Sequence, residues 1–385
     1  MTAVTTTLLT KDQLALAEVT LDFAQEQLAP HSLTWDQDKH FPVDVLRRAA
    51  GLGLAGLYVR EECGGSGLTR TDGVLVLEVL ATGCPSIAGY LSIHNMVAWM
   101  IDRYGDQDQR ARWLPGLCAA GTLGSYCLTE PGAGSDAAAL RTRAERDGDD
   151  HYVLSGVKQF ISGAGASDVY IVMARTGGDG PAGISAFVVE RGDPGLSFGP
   201  NERKMGWNAQ PTRQVVLDGV RIPADRRLGA EGEGFRIAMS GLNGGRLGIA
   251  ACSLGGAQSA LDRSLTHLAD REAFGARLLD AQALQFRLAD MATELTAARA
   301  LVRTAAGALD RGDPQASQLC AMAKRFATDT GFTVADRALQ LHGGYGYLSE
   351  YGIEKIVRDL RVHQILEGTN EIMRVIVARG LTENL

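Results

Sequence analysis

The feature that most constrains the fold is a long amphipathic repeat in the last third of the chain. Its spacing of four and three predicts one helix of about 30 residues, roughly 45 Å long, with a single apolar seam. Such a seam has to pack against other helices, which predicts a bundle. We expect Asp280 to cap this helix and Asp313-Pro314 to open the next one. The apolar positions are Leu284, Leu288, Met291, Leu295, Ala298, Val302, Ala305 and Leu309.

A change in residue pattern divides the 385 residues into three zones. Helical periodicity extends from Lys11 to about residue 120 and returns from about Gly234. Between them, short β-rich runs alternate with turn signals, as in HYVLSGVKQFIS, DVYIVMAR, GISAFVVE and TRQVVLDGV. The sequence therefore predicts an α+β multidomain protein. Its parts are an N-terminal all-α domain (1–121), a central β-barrel domain (122–232) and a C-terminal four-helix-bundle domain (233–385).

Composition argues against several classes of function. The net charge is −7 and the pI about 5.6, without the basic clusters expected of a protein that binds nucleic acid or an anionic membrane. No apolar run reaches the roughly 18 residues of a membrane span. The opening MTAVTTTLLTKDQ resembles neither an export nor a mitochondrial signal. The six cysteines are scattered and the histidines isolated, so we expect a cytoplasmic protein with reduced thiols and no metal site.

Two glycine motifs match the dinucleotide-binding fingerprint by spacing alone. GLGLAG (51–56) follows a helical run, and GDGPAG (178–183) lies between two β-rich runs. The fingerprint requires a strand before it and a helix after it, so both motifs are expected to be turns. The chain also lacks a GxxxxGK[ST] phosphate loop and a GxSxG elbow. For His342 and His363 we expect structural or helix-end roles.

Four other stretches are rich in glycine and hydroxyl side chains. They are YCLTEPGAGSD (126–136), FISGAG (160–165), LHGGYGY (341–347) and LEGTNE (366–371). Loops of this composition expose backbone N–H groups at close range, which suits a polyoxygenated ligand. Each stretch alone indicates only a tight turn, but their joint occurrence favours a ligand site.

At these stretches the sequence resembles the acyl-CoA dehydrogenase flavoprotein family, in order and spacing and over nearly the whole chain. QILEGTNEIMR (364–374), DREAFGARL (270–278) and ALQLHGGYGYL (338–348) contribute to the resemblance together with YCLTEPGAGSD. It implies the family's fold and FAD as the cofactor. Within the family, the chain is most similar to the branch that acts on isobutyryl-CoA. The stretches that favour this branch are KMGWNAQPTR, GLNGGR, FISGAG and ARTGGDGPAGIS.

The resemblance implies that Glu367 is the catalytic base. A minority of the family carries the base at the position that is Gly245 here, which cannot act as one. Glu367 would remove the α-proton of an acyl thioester while the β-hydrogen leaves as hydride to the flavin. Desolvation by the substrate should raise the proton affinity of the carboxylate, as a base working near neutral pH needs.

The resemblance also implies the contact residues. Arg271 and Gln282 would reach the FAD of a neighbouring subunit, where a guanidinium suits a pyrophosphate. The substrate would contact Ser135, Asn243, Arg246 and Gly368. The expected FAD contacts are Tyr126, Leu128, Thr129, Gly134, Ser135, Phe160, Ile161, Ser162, Arg271, Phe274, Gln282, Gln340, Gly343, Gly344, Thr369 and Glu371.

The implied partners are an acyl-CoA substrate and an electron-transfer flavoprotein, with a homotetramer built as a dimer of dimers. Valine breakdown is the implied pathway. Butyryl-CoA and 2-methylbutyryl-CoA stay open as substrates, because one methyl group changes binding by only about 1–3 kcal/mol. A flavin oxidase is another reading, although nitroalkane oxidases of this fold use Asp at the base position. A non-catalytic binding protein on the same fold is the third. Hydrogen peroxide production would favour the oxidase, and a colourless protein the binding protein.

Overall fold

The computed structural model describes residues 9–382 and begins with a helical region. Helices α4 and α5 form its centre, because nearly all of their side chains are buried on every face. Helix α1 continues as a short π-helical turn over residues 24–28. The helices are α1 (Lys11–Phe23), α2 (Ser32–Asp38), α3 (Val43–Gly51), α4 (Arg70–Gly83), α5 (Pro85–Tyr104) and α6 (Gln107–Cys118).

The middle region is one mixed β-sheet. The four β-rich runs predicted from the sequence are four of its strands, β3, β4, β5 and β7 below. The strand order is β6-β7-β3-β2-β4-β5-β8, and β1 is added in parallel to β4. The strands are β1 (Gly124–Cys127), β2 (Arg143–Asp147), β3 (His151–Ser162), β4 (Val169–Arg175), β5 (Ile184–Glu190), β6 (Leu196–Phe198), β7 (Thr212–Pro223) and β8 (Arg227–Leu228).

Strands β4 and β5 explain how the sheet joins the helices. Six consecutive residues of each are buried, so both faces of these strands are covered. Ile171 and Val188 pack in a core shared with α5 and α6, whereas Tyr170 and Phe187 pack in the separate core of the sheet. The sheet is therefore attached to the N-terminal helices through one of its faces.

The last region is helical and confirms the predicted bundle. Helix α8 contains the whole predicted seam, with its six central positions buried and Leu284 and Leu309 half-buried. A two-stranded hairpin precedes this helix. The elements are α7 (Gly234–Asp270), β9 (Glu272–Ala273), β10 (Ala276–Arg277), α8 (Gln282–Asp310), α9 (Ala316–His342), α10 (Ile353–Arg361) and α11 (Asn370–Thr382). The α+β architecture of a helical part, a β part and a helical bundle is thus as expected.

Two helix starts differ from the prediction. Helix α8 has Ala281 before its first residue and no side-chain cap, because the Asp280 carboxylate pairs instead with Arg277 at 2.8 Å. Helix α9 begins at Ala316, beyond Pro314, and the Asp313 carboxylate accepts the N–H of Gln315 in the turn before it. Both differences arise because the aspartates bind groups in the preceding turn.

Helix α7 approaches its neighbours unusually closely. A Cβ atom added at Gly248 would lie 2.0 Å from Ser92 Oγ on α5, and one added at Gly255 would lie 2.0 Å from the carbonyl oxygen of Glu78 on α4. Only glycine permits such spacing without moving the partner helices. The glycines of GLNGGRLGIAACSLGG therefore place α7 in the centre of the molecule, beneath the site described below.

The remaining expectations concern turns, thiols, membranes and metals. GLGLAG ends α3 in a turn and GDGPAG connects β4 to β5, as predicted. All six cysteines are unpaired, and five of them are buried. None of the helices between residues 9 and 382 combines the length and apolar character needed to cross a membrane. In the same range, no three His, Cys, Asp or Glu side chains are grouped as metal ligands. Residues 1–8, part of the predicted leaderless start, lie outside the described residues.

Candidate active site

Glu367 lies in the turn that connects α10 to α11, and the backbone of this turn is unusual. Glu367 has φ +55° and Gly368 has φ +88°, so two consecutive residues adopt the left-handed region. Residues other than glycine, asparagine and aspartate rarely adopt this region, because it costs of order 1–3 kcal/mol of conformational free energy. This conformation directs the Glu367 carboxylate toward helix α7.

The Glu367 carboxylate has no conventional partner. Its Oε2 atom is buried and forms no hydrogen bond. A Cβ atom added at Gly245 of α7 would lie only 2.5 Å from Oε2, so the carboxylate packs directly on the helix backbone. Burial raises the pKa of Glu367 to about 7, against the opposing charges of Arg246 and Lys324. A desolvated, unpaired carboxylate of this kind is suited to accept a proton near neutral pH.

Arg246 lies behind the carboxylate and not on it. The side chain is 4% exposed. Its Nε donates to the carbonyl oxygen of Glu367 at 3.4 Å, and its Nη1 donates to Asn243 Oδ1 at 2.8 Å. Ser317 also donates to Asn243 Oδ1, at 3.3 Å. The two predicted substrate residues are therefore joined to each other, and Arg246 supports the backbone of the turn.

Tyr126 lies near the Glu367 carboxylate, in a region that we call the Glu367 pocket and that also contains Gly245 and Leu366. Its hydroxyl is buried and has no hydrogen-bond partner. Burial, followed by the nearby Glu367 charge, raises the pKa of this phenol well above its ordinary value. The ring packs beside Leu366, Trp207 and Ile93 in a small apolar cluster. Two unpartnered polar atoms thus share an apolar pocket, an arrangement that favours a ligand with its own polar groups.

A second group of predicted residues lies where β1 meets β3. The N–H of Gln159 donates to the Thr129 carbonyl at 2.8 Å, which places Leu128 and Thr129 alongside Phe160 and Ile161. Leu128 and Ile161 are buried, but Phe160 is 64% exposed and has φ +60°. An exposed aromatic ring on a backbone of this kind is positioned to be covered by a flat ligand.

Ser162, Gly134 and Ser135 complete the predicted residues of this edge. The Ser162 carbonyl accepts a hydrogen bond from Ser125 Oγ at 2.6 Å, and Ser162 is half-buried. Gly134 and Ser135 are exposed, and a Cβ atom at Gly134 would find nothing within 4 Å. These two residues thus border open space, away from the Glu367 carboxylate.

A buried ion pair that the sequence analysis missed holds this edge together. Lys158 is fully buried, and its Nζ donates to Glu130 Oε1 at 2.8 Å and to the Leu128 carbonyl at 3.1 Å. Glu130 also accepts the N–H groups of Arg141 and Thr142, at 2.6 and 2.9 Å. The pair therefore fixes both ends of the loop of residues 128–142. A lysine in the middle of a β-rich run was the available signal.

Six predicted residues lie elsewhere, on a surface that we call the distal face. Every one of them is exposed, and Phe274, at the tip of the β9–β10 hairpin, is completely so. The Arg271 guanidinium lies 5.3 Å from the centre of the Tyr345 ring, which joins the hairpin to the end of α9. Within residues 9–382, no hydrogen bond, ion pair or ring contact connects this face to the Glu367 pocket. The distal face consists of Arg271, Phe274, Gln282, Gln340, Gly343 and Gly344.

Thr369 and Glu371 lie at the start of α11. Thr369 Oγ1 accepts the N–H of Ile372 at 3.3 Å and so caps the helix. Glu371 is exposed and lies 3.6 Å from Arg374. The structure therefore places both residues directly after the Glu367 turn but gives neither a contact with the carboxylate.

Lys324 is the second residue that the sequence analysis missed. It is fully buried on α9, where its Nζ donates to the Gly368 carbonyl at 2.7 Å and to Asn370 Oδ1 at 3.0 Å. Burial lowers the pKa of its ammonium group to about 7. The available signal was a single lysine among the small residues of the buried face of α9, Cys320, Ala323, Ala327 and Gly331.

The two histidines singled out by position have structural surroundings. His363 Nε2 accepts the Trp207 indole N–H at 3.1 Å, and its Nδ1 lies 2.6 Å from Ser253 Oγ. Burial lowers the pKa of His363 to about 3. His342 Nδ1 lies 2.7 Å from the Ala338 carbonyl in the last turn of α9. Both histidines thus belong to the packing of the bundle.

Comparison with known proteins agrees with this geometry. Family models of the acyl-CoA dehydrogenase N-terminal, middle and C-terminal domains match residues 10–121, 125–220 and 232–382. The mitochondrial isobutyryl-CoA dehydrogenase of Bos taurus is 52% identical over 97% of this chain and 90% of its own length.

Two solved structures share the fold. Butyryl-CoA dehydrogenase from Megasphaera elsdenii is 38% identical, with a TM-score of 0.94 over 97% of this chain and 98% of its own. A chain from a study of the electron transferring flavoprotein of Acidaminococcus fermentans has the same identity, TM-score and coverage. The chain described here therefore belongs to the acyl-CoA dehydrogenase family of oxidoreductases.

Proposed function

We propose that this protein is an FAD-dependent dehydrogenase that forms the α,β double bond of a short branched acyl-CoA, with isobutyryl-CoA as the favoured substrate. The observation that carries the proposal is the buried, unpartnered Oε2 of Glu367, packed on Gly245 and near a second unpartnered atom, the Tyr126 hydroxyl. The 52% identity to the bovine isobutyryl-CoA dehydrogenase supports the choice of substrate.

Glu367 acts as the base. Its carboxylate takes the α-proton of the thioester, and burial gives it the proton affinity that this step needs near neutral pH. Within residues 9–382 the N–H of Glu367 finds no acceptor, so this donor is free to bind the thioester oxygen as negative charge develops there. FAD, when bound, accepts the β-hydrogen with its electron pair, which is chemistry that no side chain supplies.

The apolar wall of the pocket excludes water from this step. Ile93, Trp207 and Ile249 are buried beside Leu366, the residue before the base. Met96 is also buried, and its sulfur would lie 3.2 Å from a Cβ atom added at Gly245. Water that entered here would solvate the carboxylate and lower its proton affinity. These side chains therefore maintain the base in its reactive state.

The residues present fit FAD. Phe160, exposed on a left-handed backbone, offers a flat apolar surface for the isoalloxazine ring, and the unpartnered Tyr126 hydroxyl offers a polar contact nearby. We assign the ring to the edge formed by Tyr126, Leu128, Thr129, Phe160, Ile161 and Ser162. Gly134 and Ser135 would lie on the open side of this edge, and Thr369 and Glu371 would contact the cofactor from the turn that carries the base.

The distal face would serve the cofactor of a second subunit. Arg271 is exposed, and its guanidinium lies over the Tyr345 ring and takes part in none of the ion pairs found among residues 9–382, so it can bind a pyrophosphate. Gln282, Gln340, Gly343 and Gly344 would add amide and backbone contacts, and Phe274 would pack on the partner. This arrangement requires at least a dimer, and we propose a homotetramer built as a dimer of dimers.

The substrate would enter along the start of α7. Asn243 and Arg246 border the pocket there, Gly368 adjoins the base, and Ser135 would contact the CoA moiety. An electron-transfer flavoprotein would receive the electrons, valine breakdown would supply the substrate, and the protein would be located in the cytoplasm.

We also propose domain boundaries after residues 121 and 232, which separate the β-sheet from the two helical parts.

Anaerobic titration with a panel of acyl-CoAs tests the proposal. The FAD-loaded protein should lose its visible flavin absorbance with isobutyryl-CoA at the lowest concentration, followed by butyryl-CoA and 2-methylbutyryl-CoA. The same titration in air, with hydrogen peroxide measured, distinguishes a dehydrogenase from an oxidase. Retention of the absorbance with every thioester would refute the function, and a preference for butyryl-CoA would refute only the favoured substrate.

A further inference from the structure

The turn that carries Glu367 is stabilised by side chains of neighbouring helices. Two consecutive residues with positive φ are strained, and such a turn keeps its shape only if the surrounding structure fixes it. Arg246 of α7 donates to the Glu367 carbonyl, and the other supporting contacts come from helix α9.

Helix α9 binds the turn through three side chains, Lys324 and, about one helical turn later, Thr328 and Asp329. Lys324 Nζ donates to the Gly368 carbonyl and to Asn370 Oδ1. Thr328 Oγ1 accepts the Asn370 amide at 3.0 Å. Asp329 Oδ1 accepts the same amide at 2.7 Å, and it also accepts the Gln364 amide at 2.8 Å. The helix thereby holds the chain both before and after Glu367.

We propose that Lys324 is a positioning residue for the base and that, with Thr328 and Asp329, it forms a clamp that fixes the Glu367 carboxylate against Gly245. The inference deepens the proposed function and rests on it. The clamp leaves the carboxylate itself unbound, because its contacts are all with the backbone and amide groups of the neighbouring residues.

A merely structural role would not require a lysine. Burying an ammonium group is costly, and apolar side chains of similar volume often serve stability as well or better. Within residues 9–382, Lys324 has no carboxylate within 4 Å of its Nζ, so an ion pair does not explain its burial. Its three donors and its charge are instead used beside the base.

The charge of Lys324 acts on Glu367 together with other groups that face it. Arg246 of α7 is the second cation near Glu367, and the Tyr126 phenol of β1 is also close enough to interact with its charge. Asp329 and Glu371 lie on the Lys324 side and partly offset its charge. Removing the ammonium group should therefore raise the proton affinity of Glu367, so that the base ionises only at higher pH.

Lys324→Met tests the clamp, with Lys204→Met as the matched control. Lys204 is half-buried, whereas Lys324 is fully buried; Lys204 also donates to a backbone carbonyl, that of Gln210 at 2.6 Å, but it has no contact with the Glu367 turn. The rate of flavin bleaching by isobutyryl-CoA is measured against pH in each variant. Affinity for a non-oxidisable S-alkyl thioether of CoA and the midpoint of thermal unfolding are measured beside it.

In Lys324→Met, we expect the bleaching rate to fall about 100-fold, the loss associated with a base displaced by about 1 Å. The acid limb of the pH profile should move to higher pH by about one unit, while thioether affinity stays within about threefold. Lys204→Met should leave the acid limb in place. A rate within twofold of wild type and an unmoved acid limb in Lys324→Met would overturn the proposal.

Asp329→Ala covers the case in which Lys324→Met does not fold. Asp329 is partly exposed, so its removal should be tolerated, yet it frees the Gln364 amide and leaves the Asn370 amide with Thr328 as its acceptor on α9. We expect a rate loss of about tenfold with unchanged FAD content, and an unaltered rate would contradict the clamp. If the wild-type protein itself is not bleached by any acyl-CoA, the proposed function fails. If wild type is bleached by isobutyryl-CoA and the variants are bleached at the wild-type rate, the proposed function stands and only the clamp fails.

Discussion

The Glu367 pocket and the distal face use the same kinds of residue in opposite ways. In the pocket, Arg246 is buried and binds the Glu367 carbonyl and the Asn243 amide oxygen, and the buried Tyr126 hydroxyl has no hydrogen-bond partner. On the distal face, Arg271 and Phe274 are exposed, and the Arg271 guanidinium lies over the exposed ring of Tyr345. In the function proposed above, the base and its supports come from one chain, whereas the distal face is one half of a surface that a second chain would complete.

The difference between the pocket and the distal face corresponds to two requirements of the reaction, a desolvated base and a binding surface for a long cofactor. A carboxylate becomes a base near neutral pH only when water is removed, which tight packing within one chain accomplishes. Holding a dinucleotide requires many contacts over a long ligand, which two chains can share. Substitutions in the buried parts should therefore alter stability and rate, and substitutions on the distal face should alter cofactor affinity alone. The following predictions test this division, beginning with the largest effect.

The largest effect is expected from Lys158→Met. This change leaves Glu130 buried without its cation, which typically costs about 3–5 kcal/mol of unfolding free energy. Urea denaturation measures the loss. Arg221→Met is the matched control, because Arg221 pairs with Asp147 on the same sheet but both side chains are about half exposed. The control should lose less than about 1 kcal/mol. Equal losses in the two variants would contradict the assignment of buried and exposed pairs.

The next prediction concerns the pH dependence of stability. The pKa of Glu367 is raised by burial from 4.5 to about 7, so its neutral form is favoured in the folded protein. Its contribution to stability is therefore fully present below pH 4.5 and is lost as pH rises through 7. Glu367→Gln, which stays neutral, should exceed wild type by up to about 3 kcal/mol at pH 8 and equal it below pH 4.5. A difference independent of pH would show that the carboxylate is solvated.

Gly245→Ala should damage catalysis with little effect on cofactor binding. The added Cβ would lie 2.5 Å from Glu367 Oε2 and 3.0 Å from its carboxyl carbon, so the base has to move. We expect kcat/KM to fall about 100-fold while the FAD content stays unchanged. Gly51→Ala is the control, since a Cβ there meets nothing within 4 Å. Wild-type kinetics in Gly245→Ala would show that the carboxylate does not rest on α7.

Arg271→Ala tests the distal face and should have the smallest effect on the stability of the FAD-free protein. Loss of a charged donor to a phosphate should weaken FAD about tenfold or more, whereas the unfolding of the FAD-free protein should change by less than about 0.5 kcal/mol. Arg287→Ala, an exposed arginine of α8 with no predicted role, is the control. Equal FAD affinities in the two variants would remove the distal face from the cofactor site.

Much of the fold could be predicted because local periodicity determined it. The seam from Leu284 to Leu309 predicted a long helix, and the β-rich composition of HYVLSGVKQFIS predicted a strand, which the structure has at His151–Ser162. The helix starts were less predictable. Asp280 and Asp313 are good caps by type, but nearby groups in the preceding turns bind them, and local composition does not determine that competition.

The site could be predicted only where a motif marked it. Glu367 and its glycine-rich surroundings stand out along the chain, but Lys158 and Lys324 do not. Lys324 meets the turn across 44 residues of sequence, and Lys158 meets Glu130 across 28. Contacts over such distances depend on how helices and strands pack, and a single lysine in an apolar run shows that it is buried without showing what it binds.

The most direct test of the account is the rate of flavin bleaching in Glu367→Gln under anaerobic conditions. The variant should bind FAD as wild type does, because the substituted side chain is isosteric and faces the substrate. Without the base, bleaching by isobutyryl-CoA should slow by at least about 1,000-fold. Bleaching at a rate near that of wild type would show that another group removes the α-proton, and the central claim for Glu367 would be wrong.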